Sequence, residues 1–339
     1  MKAVRVRRSG VQPEVVDVPA PAVVHPLDVL VEVGGAGVCR IDADLIAGRW
    51  GGLTEALVPY TLGHETAGRV LDLGSGVTNL EPGDVVLLHP QLSCGLCRPC
   101  RSGIDMQCDN ARVPGIDCDG GMAELVLTNA WSVVRLSSAT DPADVAGLAD
   151  AGLAVYHAVR QALQLFSPGA SLVVLGGDAV GRLGLQCVLA RVPAEVEVID
   201  FSDWRSGGPA APENGQIDRQ RIEAVLERTS GRGVNVVIDF LGDQGSVPAA
   251  LAMLRRAGTY VLTARGRGVA LPADEFVETD VVGRLVGSHR DLEELVTLVS
   301  EGKARTEVAR YRLEGIPEVL TELSEGRAPG WPVLVPDSA

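Results

Sequence analysis

Four cysteines crowd into a short stretch with the spacing Cys94-x2-Cys97-x2-Cys100-x7-Cys108. Four thiolates complete the tetrahedral coordination of Zn²⁺ and leave no position open, so this lobe is expected to hold a structural metal. Gly95, Pro99 and Gly103 between the cysteines suit a tight loop wrapped on an ion. An iron–sulfur cluster would use the same four ligands, and metal analysis with an absorption spectrum separates the two. Four clustered thiols without a metal would be an oxidation hazard. Three more donors lie far apart in the chain. They are Cys39 in Gly37-Val38-Cys39-Arg40-Ile41-Asp42, His64 in Gly63-His64-Glu65-Thr66-Ala67-Gly68, and Asp150 in Leu148-Ala149-Asp150-Ala151-Gly152-Leu153. A thiolate, an imidazole and a carboxylate together make three zinc donors with room for a fourth, the open pattern of a catalytic metal. Spacing alone does not group them, because a lone Cys or His is more often core or surface.

The elements that must position these residues follow from periodicity. At 339 residues, two domains are the default expectation. The chain is 46% hydrophobic and 22% charged, enough for an ordinary packed core. Residues 1–33 alternate short β-like runs with prolines, and Gly83-Asp84-Val85-Val86-Leu87-Leu88 and Glu124-Leu125-Val126-Leu127 read the same way. From 141 to 165 the apolar residues Val145, Leu148, Ala149 and Leu153 fall at helical spacing. Then comes Ser171-Leu172-Val173-Val174-Leu175, a glycine turn, a helical stretch over 180–190, and Glu195-Val196-Glu197-Val198-Ile199-Asp200. That order is strand, turn, helix, strand, a βαβ unit. Further parallel strands are expected at 234–240 and 258–262, with a helix over 247–254 between them, another helix over 291–301 and a final strand at 331–335. The sequence therefore predicts an α/β chain. A nucleotide-type domain, 151–285, is inserted between the two pieces of a β-rich domain, 1–150 and 286–339.

The formal net charge is −14. An acidic surface repels phosphate backbones, which argues against nucleic acid as a partner. No apolar run reaches the ~18 residues of a spanning helix, so no membrane partner is expected. The first residues mix Arg and Lys with valines and lack the layout of a secretory signal. Cytoplasmic localisation is the expectation, and there clustered cysteines point to metal rather than disulfides.

Taken in order, Gly37-Val38-Cys39-Arg40-x-Asp42, Gly63-His64-Glu65, the 94–108 lobe, Asp150-Ala151-Gly152-Leu153 and the glycine turn Gly176–Gly181 resemble the zinc-containing medium-chain dehydrogenase/reductase family, alcohol-dehydrogenase type. The resemblance covers essentially the whole chain. It implies a GroES-like catalytic domain, a Rossmann-type doubly wound parallel sheet, and an active site in the cleft between them. It implies Cys39, His64 and Asp150 as catalytic zinc ligands, with Glu65 as an optional fourth and Asp42 supporting His64. Cys94, Cys97, Cys100 and Cys108 take the structural zinc. Arg40, Gly176, Asp178, Val180, Gly181, Asp200 and Gly242 fall where the family holds NAD(H). The implied activity is hydride transfer between NAD(H) and a small carbonyl, alcohol or imine-like substrate. A homodimer or homotetramer is the implied assembly.

The chain departs from the family at three points. Ile41 stands where a Ser or Thr usually relays the alcohol proton. Asp178 replaces the middle glycine of the phosphate turn. A carboxylate about 4 Å from a phosphate charge costs about 4 kcal/mol at an effective dielectric near 20, or roughly a thousandfold in affinity. After Asp200, whose position suits a ribose hydroxyl, Gly207-Gly208-Pro209 and Pro212 forbid the helix the family puts next. These departures keep a second reading open: a zinc-dependent non-redox catalyst of cyclisation, elimination or hydration on a scaffold that has lost NAD(P) binding.

Overall fold

The computed structural model describes residues 1–8, 10–49, 58–176, 179–201, 219–243, 245–263, 278–283 and 286–337. The strands are β1 (Lys2–Val6), β2 (Glu14–Asp17), β3 (Asp28–Gly37), β4 (Tyr60–Thr61), β5 (Glu65–Leu73), β6 (Val85–Leu88), β7 (Leu125–Asn129), β8 (Val133–Arg135), β9 (Ser171–Leu175), β10 (Glu197–Phe201), β11 (Val234–Asp239), β12 (Leu254–Leu262), β13 (Asp280–Gly283), β14 (Val308–Arg312) and β15 (Trp331–Val335). The helices are α1 (Arg40–Ile46), α2 (Arg98–Arg101), α3 (Pro142–Val145), α4 (Ala151–Ala162), α5 (Ala179–Arg191), α6 (Arg219–Arg228), α7 (Ser246–Met253), α8 (His289–Ser300) and α9 (Ile316–Glu325). The mixed α/β architecture is the one expected. Among the described residues, no helix is long and apolar enough to cross a membrane.

By internal contacts the chain divides into two compact units. The first is Met1–Leu153 with Ser288–Ser300 and Thr306–Ala339; the second is Ala154–Gly287 with Glu301–Arg305. In the first, β3 is the spine. Its valine-rich run is buried along most of its length, as β-branched side chains favour. It pairs antiparallel with β5 along one edge, and with β7 and then β15 along the other. Two register pairs matter for the site: Gly37 lies opposite Glu65, and Val333 lies opposite Gly37. Val4, Val31, Leu45, Leu62, Val86 and Val319 belong to the core that this sheet and α1 and α9 enclose.

The second unit is built on a parallel sheet in the order β10-β9-β11-β12-β13. Val173, Leu175, Val237, Val247 and Tyr260 pack in its core. The strand order reverses between β9 and β11, where Leu175 pairs with Asp239 at the carboxyl ends. In sheets of this kind, ligands bind outside the carboxyl ends at the point of reversal.

Candidate metal centres and active site

β3 delivers Cys39 to the start of α1, where it is the N-cap residue in extended conformation. Its Sγ accepts the Ile41 N–H at 3.3 Å, and its own N–H donates to Asp42 Oδ2 at 2.9 Å. This reciprocal cap holds the thiol and Asp42 on one side of the helix start. His64 is delivered by the turn before β5. Gly63 has φ +107°, and a Cβ there would lie 2.5 Å from the Met122 nitrogen, so only glycine permits the turn.

The described residues bring Cys39, His64 and Asp150 together. One donor atom from each lies within 4.8 Å of the others. Cys39 Sγ is 3.1 Å from His64 Nε2, which is 3.4 Å from Asp150 Oδ2. With zinc bonds of about 2.1 Å to nitrogen and oxygen, two ligands of a tetrahedral ion stand ~3.4 Å apart. The His64–Asp150 spacing matches that edge. His64 and Asp150 are buried, Cys39 is half-buried, and Asp42 is fully enclosed.

The electrostatics point the same way. Burial pushes the Cys39 thiol up to about 12 despite the adjacent imidazole. Burial also raises Asp42, with His64 working against it. For His64, burial opposes the charged form, but the charges of Cys39 and Asp42 and a hydrogen bond donated by its ring to Asp150 lift it well above the ordinary range. A thiol and two buried carboxylates beside one imidazole form a donor set that a divalent cation would neutralise, taking the sulfur as thiolate. Asp42 Oδ1 and His64 Nδ1 face each other at 3.6 Å and lack another partner.

Glu65 does not join the three-atom group. Its Oε1 accepts the Ala151 N–H at 3.0 Å and its Oε2 accepts the Trp331 indole N–H at 3.0 Å. Both oxygens are thus committed. Burial, reinforced by the charge of Asp150, pushes Glu65 up to about 8. In this structure Glu65 bridges Ala151 and Trp331, and the donors that converge among the described residues are those of Cys39, His64 and Asp150.

The four cysteines of the lobe also converge. Cys97 Sγ lies 3.4 Å from Cys100 Sγ and 3.8 Å from Cys108 Sγ, near the ~3.8 Å edge of a tetrahedral zinc–thiolate site. Backbone N–H groups of Cys94, Cys97 and Asn110 point at the sulfurs. N–H groups of Leu96 and Cys97 bring Cys94 down to about 6, whereas burial and the neighbouring thiols Cys97 and Cys108 push Cys100 up to about 12. One dication would take all four as thiolates. Of the other cysteines, Cys187 is buried and Cys118 half-buried, as small packing residues would be.

The residues expected along the cofactor are spread over both units. Arg40 is exposed in the first turn of α1. Gly176 is buried after β9 and donates its N–H to Phe201. Val180 and the buried Gly181 lie in the first turn of α5, and Asp200 is exposed near the end of β10. Asp178 and the stretch 202–218, where a helix was expected to be missing, lie outside the described residues. Gly242, with φ +61°, follows β11.

The structure adds a residue that sequence reasoning missed. Asp239 ends β11, fully buried. Its Oδ1 accepts the N–H groups of Leu241 and Gly242 at 2.8 and 3.0 Å; its Oδ2 accepts the hydroxyls of Ser246 and Tyr260 at 2.7 and 2.8 Å. An apolar strand ending in Asp with a glycine three residues on was the available signal.

Two family descriptions match the chain. Residues 25–138 match the alcohol dehydrogenase GroES-like domain, and residues 215–334 match zinc-binding dehydrogenase. An NAD-dependent alcohol dehydrogenase of Sulfurisphaera tokodaii is 30% identical, with 99% of this chain and 100% of that protein aligned. The chain belongs to the zinc-containing medium-chain dehydrogenase/reductase family, alcohol-dehydrogenase type. A D-arabinose 1-dehydrogenase (NADP(+)) of Saccharolobus solfataricus is also 30% identical, over 95% of this chain and 93% of its own length. The crystal structure of the alcohol dehydrogenase from Aeropyrum pernix superposes with a TM-score of 0.88 at 36% identity, covering 99% of this chain and 100% of that one. As a member of this family the protein is a zinc-dependent oxidoreductase, with a GroES-like unit and a Rossmann-type sheet. Likeness to dehydrogenases along nearly the whole chain favours hydride transfer over the non-redox alternative.

Proposed function

We propose that this chain transfers hydride between NAD(H) and a small alcohol or its carbonyl, at a zinc held by Cys39, His64 and Asp150. The observation that carries this is the sulfur–nitrogen–oxygen trio within 4.8 Å, its imidazole and carboxylate buried and its thiol half-buried, with Glu65 engaged elsewhere. Three protein donors leave the fourth position of a zinc ion for water or substrate. Zinc, when bound, polarises the substrate oxygen, while the nicotinamide carries the hydride.

The chain's own residues do the rest. Asp42 faces His64 Nδ1 and favours the tautomer that leaves Nε2 for the metal. Asp200, at the end of β10, suits a ribose hydroxyl, which favours NAD over NADP. Relatives named for an alcohol and for a sugar support a polar, hydroxyl-bearing substrate. Ile41 neither donates nor accepts a proton, so an alcohol proton has to leave by another route. The same reading takes the protein as a cytoplasmic homodimer or homotetramer; its free cysteines suit a reducing compartment.

Titration with NADH, followed by fluorescence, tests the cofactor, with NADPH alongside it. Saturable NADH binding together with turnover of small alcohols or carbonyls is expected. No saturation at millimolar cofactor would rule the proposal out. Sedimentation tests the assembly, and a particle of monomer mass would count against it.

A further inference from the structure

On the reading that Cys39, His64 and Asp150 hold the catalytic zinc, we infer that Trp331 is a positioning residue for that site, acting through Glu65. The register of three strands sets up the contact. Glu65 on β5 lies opposite Gly37 on β3, and Gly37 lies opposite Val333 on β15. Trp331, two residues before Val333, shares its face of the sheet. Gly37 leaves the way clear between them: a Cβ there would sit 2.1 Å from Glu65 Oε2. Across that gap the indole N–H of Trp331 donates to Oε2 at 3.0 Å. The indole itself is seated against Gly147, where a Cβ would come within 2.4 Å of the ring. Trp331 is 4% exposed and Glu65 is fully buried, so water does not compete for this bond.

The other oxygen of Glu65 accepts the N–H of Ala151, the residue after Asp150. Glu65 is also the residue after His64. One carboxylate therefore ties the segments that carry two of the three donors, and Trp331 fixes the orientation of that carboxylate. With the indole N–H removed, Oε2 is left buried with no donor. The carboxylate then turns to find one, and the Ala151 peptide, with Asp150 beside it, loses its anchor. Partners of this kind set metal affinity by about 10- to 100-fold.

The test uses Trp331→Phe in the full zinc-loaded protein. Phe keeps an aromatic ring on Gly147 and removes only the N–H donor. Zinc transfer to a chromogenic chelator is followed over time in parent and variant. The four-cysteine site serves as the internal control, and thermal unfolding is measured in parallel. Release of one zinc roughly tenfold or more faster than in the parent, with the other unchanged, is the expected result. Parental release of both ions from a folded W331F overturns the inference. If W331F does not fold, Glu65→Gln is used instead: its amide cannot accept from both N–H groups, so selective acceleration supports the brace and parental release overturns it. A parent that binds only the cysteine-lobe zinc overturns the catalytic-zinc reading and the brace with it. Two zinc ions in the parent and unchanged release in the variant overturn the brace alone.

Discussion

His64 Nδ1 lies 3.6 Å from Asp42 Oδ1, and neither atom has another hydrogen-bond partner. The opposite nitrogen of the same ring faces Cys39 and Asp150. A metal at Nε2 places the proton on Nδ1, which then donates to Asp42. Asp42→Asn substitutes an amide that can present its own N–H to that proton. Zinc affinity at this centre is expected to fall about 10- to 100-fold, with turnover following. Equilibrium competition with a chelator measures it, and parental affinity would show that Asp42 only caps α1.

Ile41 packs its side chain against the core of the first unit while its backbone N–H serves Cys39. Ile41→Thr restores the hydroxyl that, by resemblance, the family uses at this position to relay the alcohol proton. Alcohol oxidation is expected to speed up by about 100-fold or more, the usual contribution of a positioned proton-transfer group. Lost packing should cost about 1–2 kcal/mol of stability. Steady-state rates of alcohol oxidation at several pH values read the first effect and thermal melts the second. An unchanged rate would mean that proton transfer already has an efficient route.

Asp239 satisfies four donors at the carboxyl end of β11. Asp239→Ala leaves two N–H groups and two hydroxyls, most of them buried, without their acceptor. Destabilisation of about 3 kcal/mol or more is expected, along with weaker NADH binding, because the loop carrying Gly242 loses its anchor. Tyr260→Phe removes one arm only and should cost about 1 kcal/mol. Denaturant melts give both numbers; equal, small losses would show that the network is not cooperative.

The cysteine lobe is expected to act on stability rather than chemistry. Cys100→Ala should lose the lobe's zinc, lower the melting temperature and leave the affinity for zinc at Cys39, His64 and Asp150 unchanged. Metal analysis with differential scanning calorimetry reads both. A variant with a parental melting temperature would assign the lobe no structural role.

The two candidate metal centres were legible in the sequence to different degrees. The cysteine lobe was readable from spacing alone, because its ligands are close neighbours in the chain. Cys39, His64 and Asp150 could be grouped only through resemblance, since the fold supplies their proximity. The βαβ unit was plain from its apolar runs and glycine turn, and β9, α5 and β10 fall where expected within two residues. Strand β12 begins at Leu254, four residues before the expected start at Gly258, because pairing with β11 extends it through two arginines. Glu65 was the instructive case. Adjacent to a candidate ligand histidine it reads equally as an optional ligand or as a supporting residue, and its second partner, Trp331, lies 266 residues away. No local pattern announces a hydrogen bond of that span; it exists because β3 and β15 are neighbours and Gly37 is bare.

The most direct measurement is the zinc content per chain of the parent and of Cys39→Ala, determined by elemental analysis on folded protein, with NADH-dependent turnover in the same samples. Two zinc ions in the parent, one in the variant and loss of turnover in the variant are expected. Two ions and undiminished turnover in Cys39→Ala would contradict a catalytic centre built on Cys39, His64 and Asp150.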